Sequence, residues 1–295
     1  MKLSSIIKKA MFLAILCGVF TISCGNGKSD SATEDSQAEI SSPIPVGVAL
    51  YSFNRFSFSR TLDMAKQAGT DLVEGFFFHN LGEEYDNKSM LEMRDQELRD
   101  MKNMIDRKGL RMPSVYAGGK NEDEWERFFE IGQILGLEFL VCEPEPEYWD
   151  LLDSLGQANN LKIAIHEHAR GKSRFWHPDS ALVAVEGRSS FGVCGDLGHW
   201  VRSGLDPVEC LRKLEGHLIS IHAKDLDEFG NLEANDVNIG AGVIDYEAVM
   251  RELNRQGFDG PVFIECEHNW ENNQGDVKEG IDYILKIQEE IYSSK

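Results

Sequence analysis

The amino-acid sequence predicts an α/β protein, a single (β/α)8 TIM barrel preceded by a lipoprotein signal and a short disordered tether. Short apolar runs alternate with amphipathic stretches along most of the chain, which is typical of parallel strands joined by helices. Eight such units follow one another within about 250 residues, the usual length of a closed barrel. An open doubly wound sheet is the alternative, but no G-x-G-x-x-G motif opens the first helix of the sequence.

The predicted strands are apolar runs that end at a polar residue, a glycine or a proline. They lie at Val46–Leu50, Leu72–Phe77, Arg111–Tyr116, Phe139–Glu143, Lys162–His166, Phe191–Asp196, Leu218–His222 and Pro261–Glu265. Helices are predicted near Arg60–Ala68, Glu97–Arg107, Glu122–Leu135, Tyr148–Asn159, Pro178–Val185, Asp206–Leu214, Tyr246–Gln256 and Val277–Tyr292. Glycine follows four of these helices, at positions 69, 109, 136 and 257, where a left-handed residue is expected to stop a helix.

The N-terminus has the pattern of an export signal. Three lysines within the first nine residues precede the apolar stretch Ala10–Ile22, which is too short to span a bilayer comfortably. The run Thr21-Ile-Ser-Cys24 then resembles the cleavage site of a bacterial lipoprotein, with Cys24 as the residue that carries the lipid. An uncleaved anchor or a soluble secreted protein is the alternative.

Three parts of the chain follow from this pattern. We predict a lipoprotein signal peptide over residues 1–23, a flexible tether over 24–44 and the barrel over 45–295. The tether is rich in Ser, Asp and Glu, a composition that does not build a core. The predicted location is the bacterial cell envelope, either periplasmic or at the outer membrane, with membrane contact only through the lipid on Cys24.

The chain is strongly acidic, with a net charge of −20. Residues 1–23 hold three lysines and no acid, so their removal changes the net charge to −23. Such a chain repels phosphate backbones, which argues against nucleic acid as a partner but not against a small neutral sugar. The four cysteines of the predicted barrel show no disulfide or zinc-ribbon spacing and are predicted to be small buried residues; they are Cys142, Cys194, Cys210 and Cys266.

Side chains that bind metal ions stand at the ends of the last four predicted strands. They are His166, Asp196, His222 and Glu265. The carboxyl ends of barrel strands meet at one mouth, so two imidazoles and two carboxylates are expected to enclose one divalent metal ion. This mixed set suits Mn, Zn or Co better than Ca, with Mg as a further option. Each residue alone has a structural alternative, such as a buried histidine or a cap for the next helix.

Further polar and aromatic residues near the strand ends are candidates for catalysis and substrate binding. The candidate catalytic residues are Glu265, Lys224 and Glu143, with Lys224 as an acid or electrostatic clamp and Glu143 as a base. The candidate substrate-binding residues are His168, His199, Trp200, Glu74 and Glu267. The alternative for Lys224 is a salt bridge with Asp225 or Glu267, and the alternative for Trp200 is packing in the core.

Four runs of sequence resemble the sugar phosphate isomerase/epimerase family of the xylose isomerase-like TIM barrel superfamily. They are Asp196-Leu-Gly-His199, His222-Ala-Lys-Asp225, Gly240-Ala-Gly-Val-Ile-Asp245 and Gly260-Pro-Val-Phe-Ile-Glu265. The resemblance covers nearly the whole mature chain and implies a divalent metal at the barrel mouth and carbohydrate chemistry. The chain departs from many relatives at strand five, where His166 replaces a glutamate that is ligand and base in ketose epimerases. Glu265 then lacks a carboxylate partner, unless Glu143 or Glu167 supplies one.

The resemblance leads us to expect an exported, metal-dependent sugar isomerase or epimerase that acts through a metal-stabilised enediolate. Because sugar phosphates are intracellular, the expected substrate is a small non-phosphorylated carbohydrate. The first alternative is a 3-keto-glycoside lyase or 3-keto-glycal hydratase with the same metal–enolate chemistry. The second alternative is a non-catalytic sugar-binding lipoprotein. A homodimer is an open option, and nucleic acid is not an expected partner.

Overall fold

The computed structural model describes residues 43–293, which form a closed barrel of parallel strands and a small hairpin. The ten strands are β1 (Val46–Ala49), β2 (Leu72–Phe76), β3 (Arg111–Tyr116), β4 (Phe139–Cys142), β5 (Lys162–His166), β6 (Phe191–Asp196), β7 (Leu218–Ala223), β8 (Asp225–Leu226), β9 (Asp236–Val237) and β10 (Val262–Ile264). The order around the barrel is β1-β10-β7-β6-β5-β4-β3-β2, and β8 pairs with β9 as a separate antiparallel hairpin. The predicted (β/α)8 barrel is confirmed.

Helices connect the strands and surround the barrel. They are α1 (Phe58–Ala68), α2 (Asp95–Arg107), α3 (Glu122–Leu135), α4 (Trp149–Asn159), α5 (Pro178–Val185), α6 (Leu197–Arg202), α7 (Pro207–Lys213), α8 (Tyr246–Arg255) and α9 (Gln274–Ser293). Gly69 and Gly136 end α1 and α3 with φ angles of 100° and 72°, as the sequence predicts. A residue with a β-carbon would be strained in that left-handed conformation.

Several elements differ from the sequence prediction: α1, α2 and α9 begin earlier than expected, and neither α6 nor the hairpin of β8 and β9 was predicted. Helix α1 begins at Phe58 after Ser57, two residues earlier than expected. Helix α6 was not predicted, because it follows β6 without any loop. The Oδ1 atom of Asp196 accepts a hydrogen bond from the backbone N–H of His199 at 2.8 Å and so caps the first turn of α6. This abrupt change from strand to helix determines where His199 and Trp200 lie.

The barrel interior is filled directly beneath the mouth. Side chains alternate in direction along a strand, so the residues two positions before the candidate ligands point into the barrel below them. Ala164, Cys194 and Phe263 belong to one buried apolar cluster, which also contains Val141. The strand ends that carry the candidate ligands therefore lie directly above a closely packed apolar layer.

The remaining sequence expectations concern cysteines and the N-terminus. Cys142, Cys194, Cys210 and Cys266 are buried and free, which confirms that expectation. No helix among residues 43–293 is long and apolar enough to cross a membrane. The predicted signal peptide, Cys24 and almost all of the predicted tether lie outside the described residues.

Candidate metal centre

Four side chains from four neighbouring strands meet at the carboxyl end of the barrel. They are His166 at the end of β5, Asp196 at the end of β6, His222 on β7 and Glu265 just after β10, and one ligand atom from each lies within 4.8 Å of the others. Nε2 of His166 is 3.5 Å from Oδ2 of Asp196, and Nδ1 of His222 is 3.3 Å from Oε2 of Glu265. Ligand atoms held about 2.0–2.2 Å from one metal ion have separations of this size.

Two atoms of this group lack a hydrogen bond although they are buried. Within the described part of the chain, Oδ2 of Asp196 and Nδ1 of His222 have no hydrogen-bond partner. The two atoms are 3.8 Å apart. Buried polar atoms are nearly always satisfied in folded proteins, so each needs an explanation. A divalent cation between them would provide one, and the donor set of two imidazoles and two carboxylates fits such an ion.

Two further carboxylates orient the imidazoles. Oε1 of Glu143 lies 3.0 Å from Nδ1 of His166 and accepts a hydrogen bond from the hydroxyl of Tyr116 at 2.8 Å. Oε1 of Glu74 lies 2.7 Å from Nε2 of His222, while its Oε2 accepts a hydrogen bond from Ser114 at 2.6 Å. Each carboxylate holds one ring nitrogen, so the other nitrogen faces the centre. Carboxylate–histidine pairs of this kind are usual around protein-bound metal ions.

A buried lysine lies against the carboxylates of the centre. Nζ of Lys224 is 2.8 Å from Oε2 of Glu265 and 3.3 Å from Oδ2 of Asp196, and it also contacts Oε1 of Glu267. Its side chain is 2% exposed. A β-carbon at Gly198 would lie 2.2 Å from Cγ of Lys224, so glycine is required there to admit the lysine stem. Lys224 forms the salt bridge with Glu267 that was the alternative to substrate contact.

Opposite charges face one another among the side chains of the centre. Burial would lower the pKa of His166, but its contacts with Asp196 and Glu143 outweigh burial and raise the pKa to about 10. Burial would lower the pKa of His222 as well, but interactions with Cys194, Glu265 and Glu74 hold it well above its usual value. Burial opposes ionisation of Asp196, yet His199, Lys224 and His166 keep its pKa well below the usual range.

A cavity of about 190 Å³ opens above these residues. His168 and His199 line it and stack with ring centroids 3.9 Å apart. Nδ1 of His168 accepts a hydrogen bond from the backbone N–H of Ala169 at 2.9 Å, so in the neutral ring the proton is on Nε2. Burial lowers the pKa of His168, and the positive charge of His166 lowers it further.

Aromatic side chains that the sequence analysis did not select form another part of the cavity wall. Tyr51, Phe76, Phe78 and Tyr116 line it. The ring of Tyr51 packs edge-on against those of Phe78 and Trp270, with centroids 6.0 and 5.7 Å apart. All four residues lie at the end of a strand or within two residues after it. This position near the strand ends is the sequence signal that could have identified them.

The structure separates the predicted site residues into two groups. The four predicted ligands come together, and the predicted substrate-binding residues His168, His199, Glu74 and Glu267 line the cavity above them. Trp200 does not: it is fully buried beside Gly195, where a β-carbon would lie 2.5 Å from its ring, so the packing alternative describes it. Glu143 lies behind His166, which suits an orienting role better than that of a base.

Glu167 was the other candidate for a carboxylate that works opposite Glu265, and its position does not suit that role. Its side chain is fully buried, and burial raises its pKa to about 8. Successive residues of an extended chain point in opposite directions, so Glu167 faces away from the mouth that His166 faces. The cavity therefore has a histidine, not a carboxylate, at the end of β5.

Comparisons with known proteins agree with the barrel fold. A curated relative, the inosose dehydratase of Clostridium botulinum (strain Alaska E43 / Type E3), is 28% identical over 144 residues, which cover 42% of this chain and 48% of that protein. The chain thus matches about half the length of that relative. A solved structure from Parabacteroides distasonis is 29% identical with a TM-score of 0.66, and the match covers 82% of this chain and 98% of that one.

A second solved structure, that of an IolI protein with a bound zinc atom, has a TM-score of 0.70 at 16% identity, with 84% of this chain and 99% of that chain covered. At this identity the likeness concerns the fold. The family model of the xylose isomerase-like TIM barrel matches residues 62–287, about three quarters of the chain. The chain therefore belongs to the xylose isomerase-like TIM barrel family.

Proposed function

We propose that the protein is a metal-dependent lyase that eliminates water or an alcohol from a keto-sugar or keto-polyol. One observation favours a lyase over the epimerase expected from the sequence. Among the described residues that line the cavity, Glu267 is the carboxylate that is neither a proposed ligand nor hydrogen-bonded to one. Proton exchange on both faces of a sugar carbon needs two bases, whereas elimination needs one. The inosose dehydratase relative supports the same choice.

The donor set of His166, Asp196, His222 and Glu265 would hold one divalent ion, with Zn, Mn or Co favoured by its mixture of imidazole and carboxylate. When bound, such an ion polarises a substrate carbonyl and makes the neighbouring C–H group more acidic. The zinc-containing structural relative supports a divalent ion in this fold without fixing its identity here.

The protein side chains perform the proton transfers. Glu267, which contacts Lys224, takes the proton from the carbon next to the ketone. The C–H bond and the C–O bond at the next carbon break, a C=C bond forms, and Glu267 passes its proton to the departing oxygen. The Nε2–H group of His168 donates a hydrogen bond to that oxygen. The products are an unsaturated ketone and water or an alcohol.

The aromatic side of the cavity would hold the substrate. Sugar rings present apolar C–H faces, which stack on aromatic side chains, and Phe78 is 51% exposed at this position. Tyr51 and Trp270 extend the same surface. A ring lying on this wall would present its carbonyl and the neighbouring C–H group to the histidines and carboxylates across the cavity.

A test of the proposal is proton NMR in D2O of the Mn-loaded protein with 3-keto-glucosides, inososes, aldoses and ketoses in parallel. We expect loss of water or of the aglycone from a keto substrate. Glu267→Gln should lower this rate at least about 100-fold, since general-base catalysis contributes that much. Glu271→Gln, on an exposed position of the same loop, is the matched control and should retain the rate.

Other outcomes separate the remaining functions. Deuterium in a sugar of unchanged formula would overturn the lyase proposal in favour of an isomerase or epimerase. Sugar binding without turnover that persists in Glu267→Gln would favour the sugar-binding lipoprotein. The isomerase or epimerase and the sugar-binding lipoprotein both remain predictions from the sequence.

We also propose that the protein is an exported lipoprotein of the bacterial envelope, anchored through Cys24. The basic and apolar N-terminal segment and the Thr21-Ile-Ser-Cys24 run support this location. Cys24→Ala should abolish labelling by a radioactive fatty acid and release the protein from the membrane fraction. Cys17→Ala, within the apolar segment, is the control and should leave labelling intact. Labelling that survives Cys24→Ala would contradict the anchor.

A further inference from the structure

A second group of metal-binding side chains lies beside the loop that follows β10. Cys266, His268 and Asp276 each offer one ligand atom within 4.8 Å of the others. Sγ of Cys266 is 3.7 Å from Nε2 of His268, and Nε2 of His268 is 3.4 Å from Oδ2 of Asp276. A tetrahedral zinc ion with bonds of about 2.0–2.3 Å places its ligand atoms about 3.3–3.7 Å apart. Both measured separations fall within this range.

Different segments bring the three ligands together. Cys266 is 7% exposed just beyond β10, His268 belongs to the following loop, and Asp276 lies in the first turn of α9. Oδ1 of Asn238, from the segment after β9, lies 2.9 Å from Nε2 of His268, which is the separation of a hydrogen bond. The group is distinct from the centre at the barrel mouth, because successive residues of an extended chain, here Glu265 and Cys266, point in opposite directions.

We propose that Cys266, His268 and Asp276 bind a second divalent ion of the zinc type. A cysteine sulfur selects zinc and cobalt over magnesium, calcium and manganese, while imidazole and carboxylate complete a set common in zinc sites. An ion there would join the end of β10, the loop and α9. The loop carries Glu267 and Trp270, so this ion would hold both residues at the cavity without contacting substrate.

The test is a Co(II) titration of the metal-free, full-length protein, followed by absorption spectroscopy. Sulfur bonded to Co(II) gives an intense near-ultraviolet charge-transfer band that oxygen and nitrogen ligands do not give. We expect two equivalents of Co(II) and this band in the wild type. Asp196→Ala should retain one equivalent together with the band, because it removes only the centre at the barrel mouth.

Cys266→Ser should bind one equivalent without the band, while Cys210→Ser, which changes another buried cysteine, should behave as the wild type. Asp276→Asn is a second variant, used in case Cys266→Ser fails to fold, because Asp276 is partly exposed. It should weaken Co(II) binding at the Cys266 site at least tenfold. A band that survives Cys266→Ser, or a wild type that binds one equivalent without the band, would overturn the proposal. Either result would leave the lyase proposal untouched.

Discussion

The two halves of the barrel mouth differ in chemistry. Strands β5, β6, β7 and β10 end in histidines and carboxylates whose ligand atoms face one point. Strands β1, β2 and β3 contribute Tyr51, Phe76 and Tyr116 to the cavity, while Glu74 on that side is bonded to His222 across the barrel. One half therefore carries the charged groups of the proposed centre, and the other half supplies an aromatic wall. The proposed metal centre therefore depends on carboxylates from strands that provide no ligand.

The largest effect should follow from removing a ligand in the charged half. Asp196→Asn keeps the cap on α6 but weakens the donor set, so metal affinity should fall more than about 100-fold and activity should be lost with it. Asp282→Asn, on the exposed side of α9, is the control and should change neither. Metal content after dialysis measures the effect. Full activity in metal-free Asp196→Asn protein would contradict the proposed centre.

Lys224→Met should separate stability from metal binding. Loss of the ammonium leaves buried carboxylates unpaired, which should cost about 3–5 kcal/mol of unfolding free energy in the metal-free protein. A bound metal ion replaces the missing charge, so the loss should shrink when metal is present. Denaturant unfolding with and without metal measures both values. Equal losses in the two states would show that Lys224 does not compensate for the carboxylates of the centre.

Glu143→Gln tests whether strand β4 supports the charged half through His166. Loss of the carboxylate behind the imidazole should weaken metal binding about 10–100-fold. Turnover at saturating metal should remain, because the proposed role of Glu143 is to orient His166 and the proposed base is Glu267. Isothermal titration and saturating-metal kinetics separate the two effects. Loss of turnover with unchanged metal affinity would instead restore the sequence-based role of Glu143 as a base.

Metal binding should strengthen as pH rises. In the metal-free protein the pKa of His166 is raised to about 10, so binding at pH 7 must release its proton. Affinity should therefore rise about tenfold per pH unit for each proton released. In the metal-free state, the raised pKa stabilises the fold below about pH 6.5, and this stabilisation is lost as pH approaches 10. Calorimetry between pH 6 and 10 measures both; affinity independent of pH would contradict the protonated centre.

A substitution in the aromatic half of the barrel mouth should have the smallest effect on activity. Phe78→Ala should raise KM about 3–10-fold, since stacking contributes about 0.5–1.5 kcal/mol, and should leave kcat and metal affinity nearly unchanged. Val183→Ala, at an exposed apolar position on α5, is the control. A change in metal affinity in Phe78→Ala would show that the two halves are not independent.

The sequence predicted the barrel and the charged half because both depend on local patterns. His166, Asp196, His222 and Glu265 each end a short apolar run, and parallel strands bring such ends together. Trp200 could not be placed in this way. The chain enters α6 directly after Asp196, and neighbouring helical residues point about 100° apart, so His199 reaches the cavity while Trp200 enters the core.

Contacts between side chains on opposite sides of the barrel could not be predicted from the sequence either. The bond between Glu74 and His222 joins residues 148 positions apart. The cluster of Cys266, His268 and Asp276 depends on the path of the loop between β10 and α9, which has no repeating pattern. The direction of a side chain in a loop is determined by tertiary packing, and no local propensity encodes it.

The most direct test of the proposed centre is anomalous diffraction from crystals grown with Zn or Mn, recorded at the absorption edge of that metal. We expect a peak bonded to His166, Asp196, His222 and Glu265, with a coordination position open towards the cavity that Glu267 and Phe78 line. Absence of a peak there at full metal loading, with the four side chains bonded only to one another, would contradict the account.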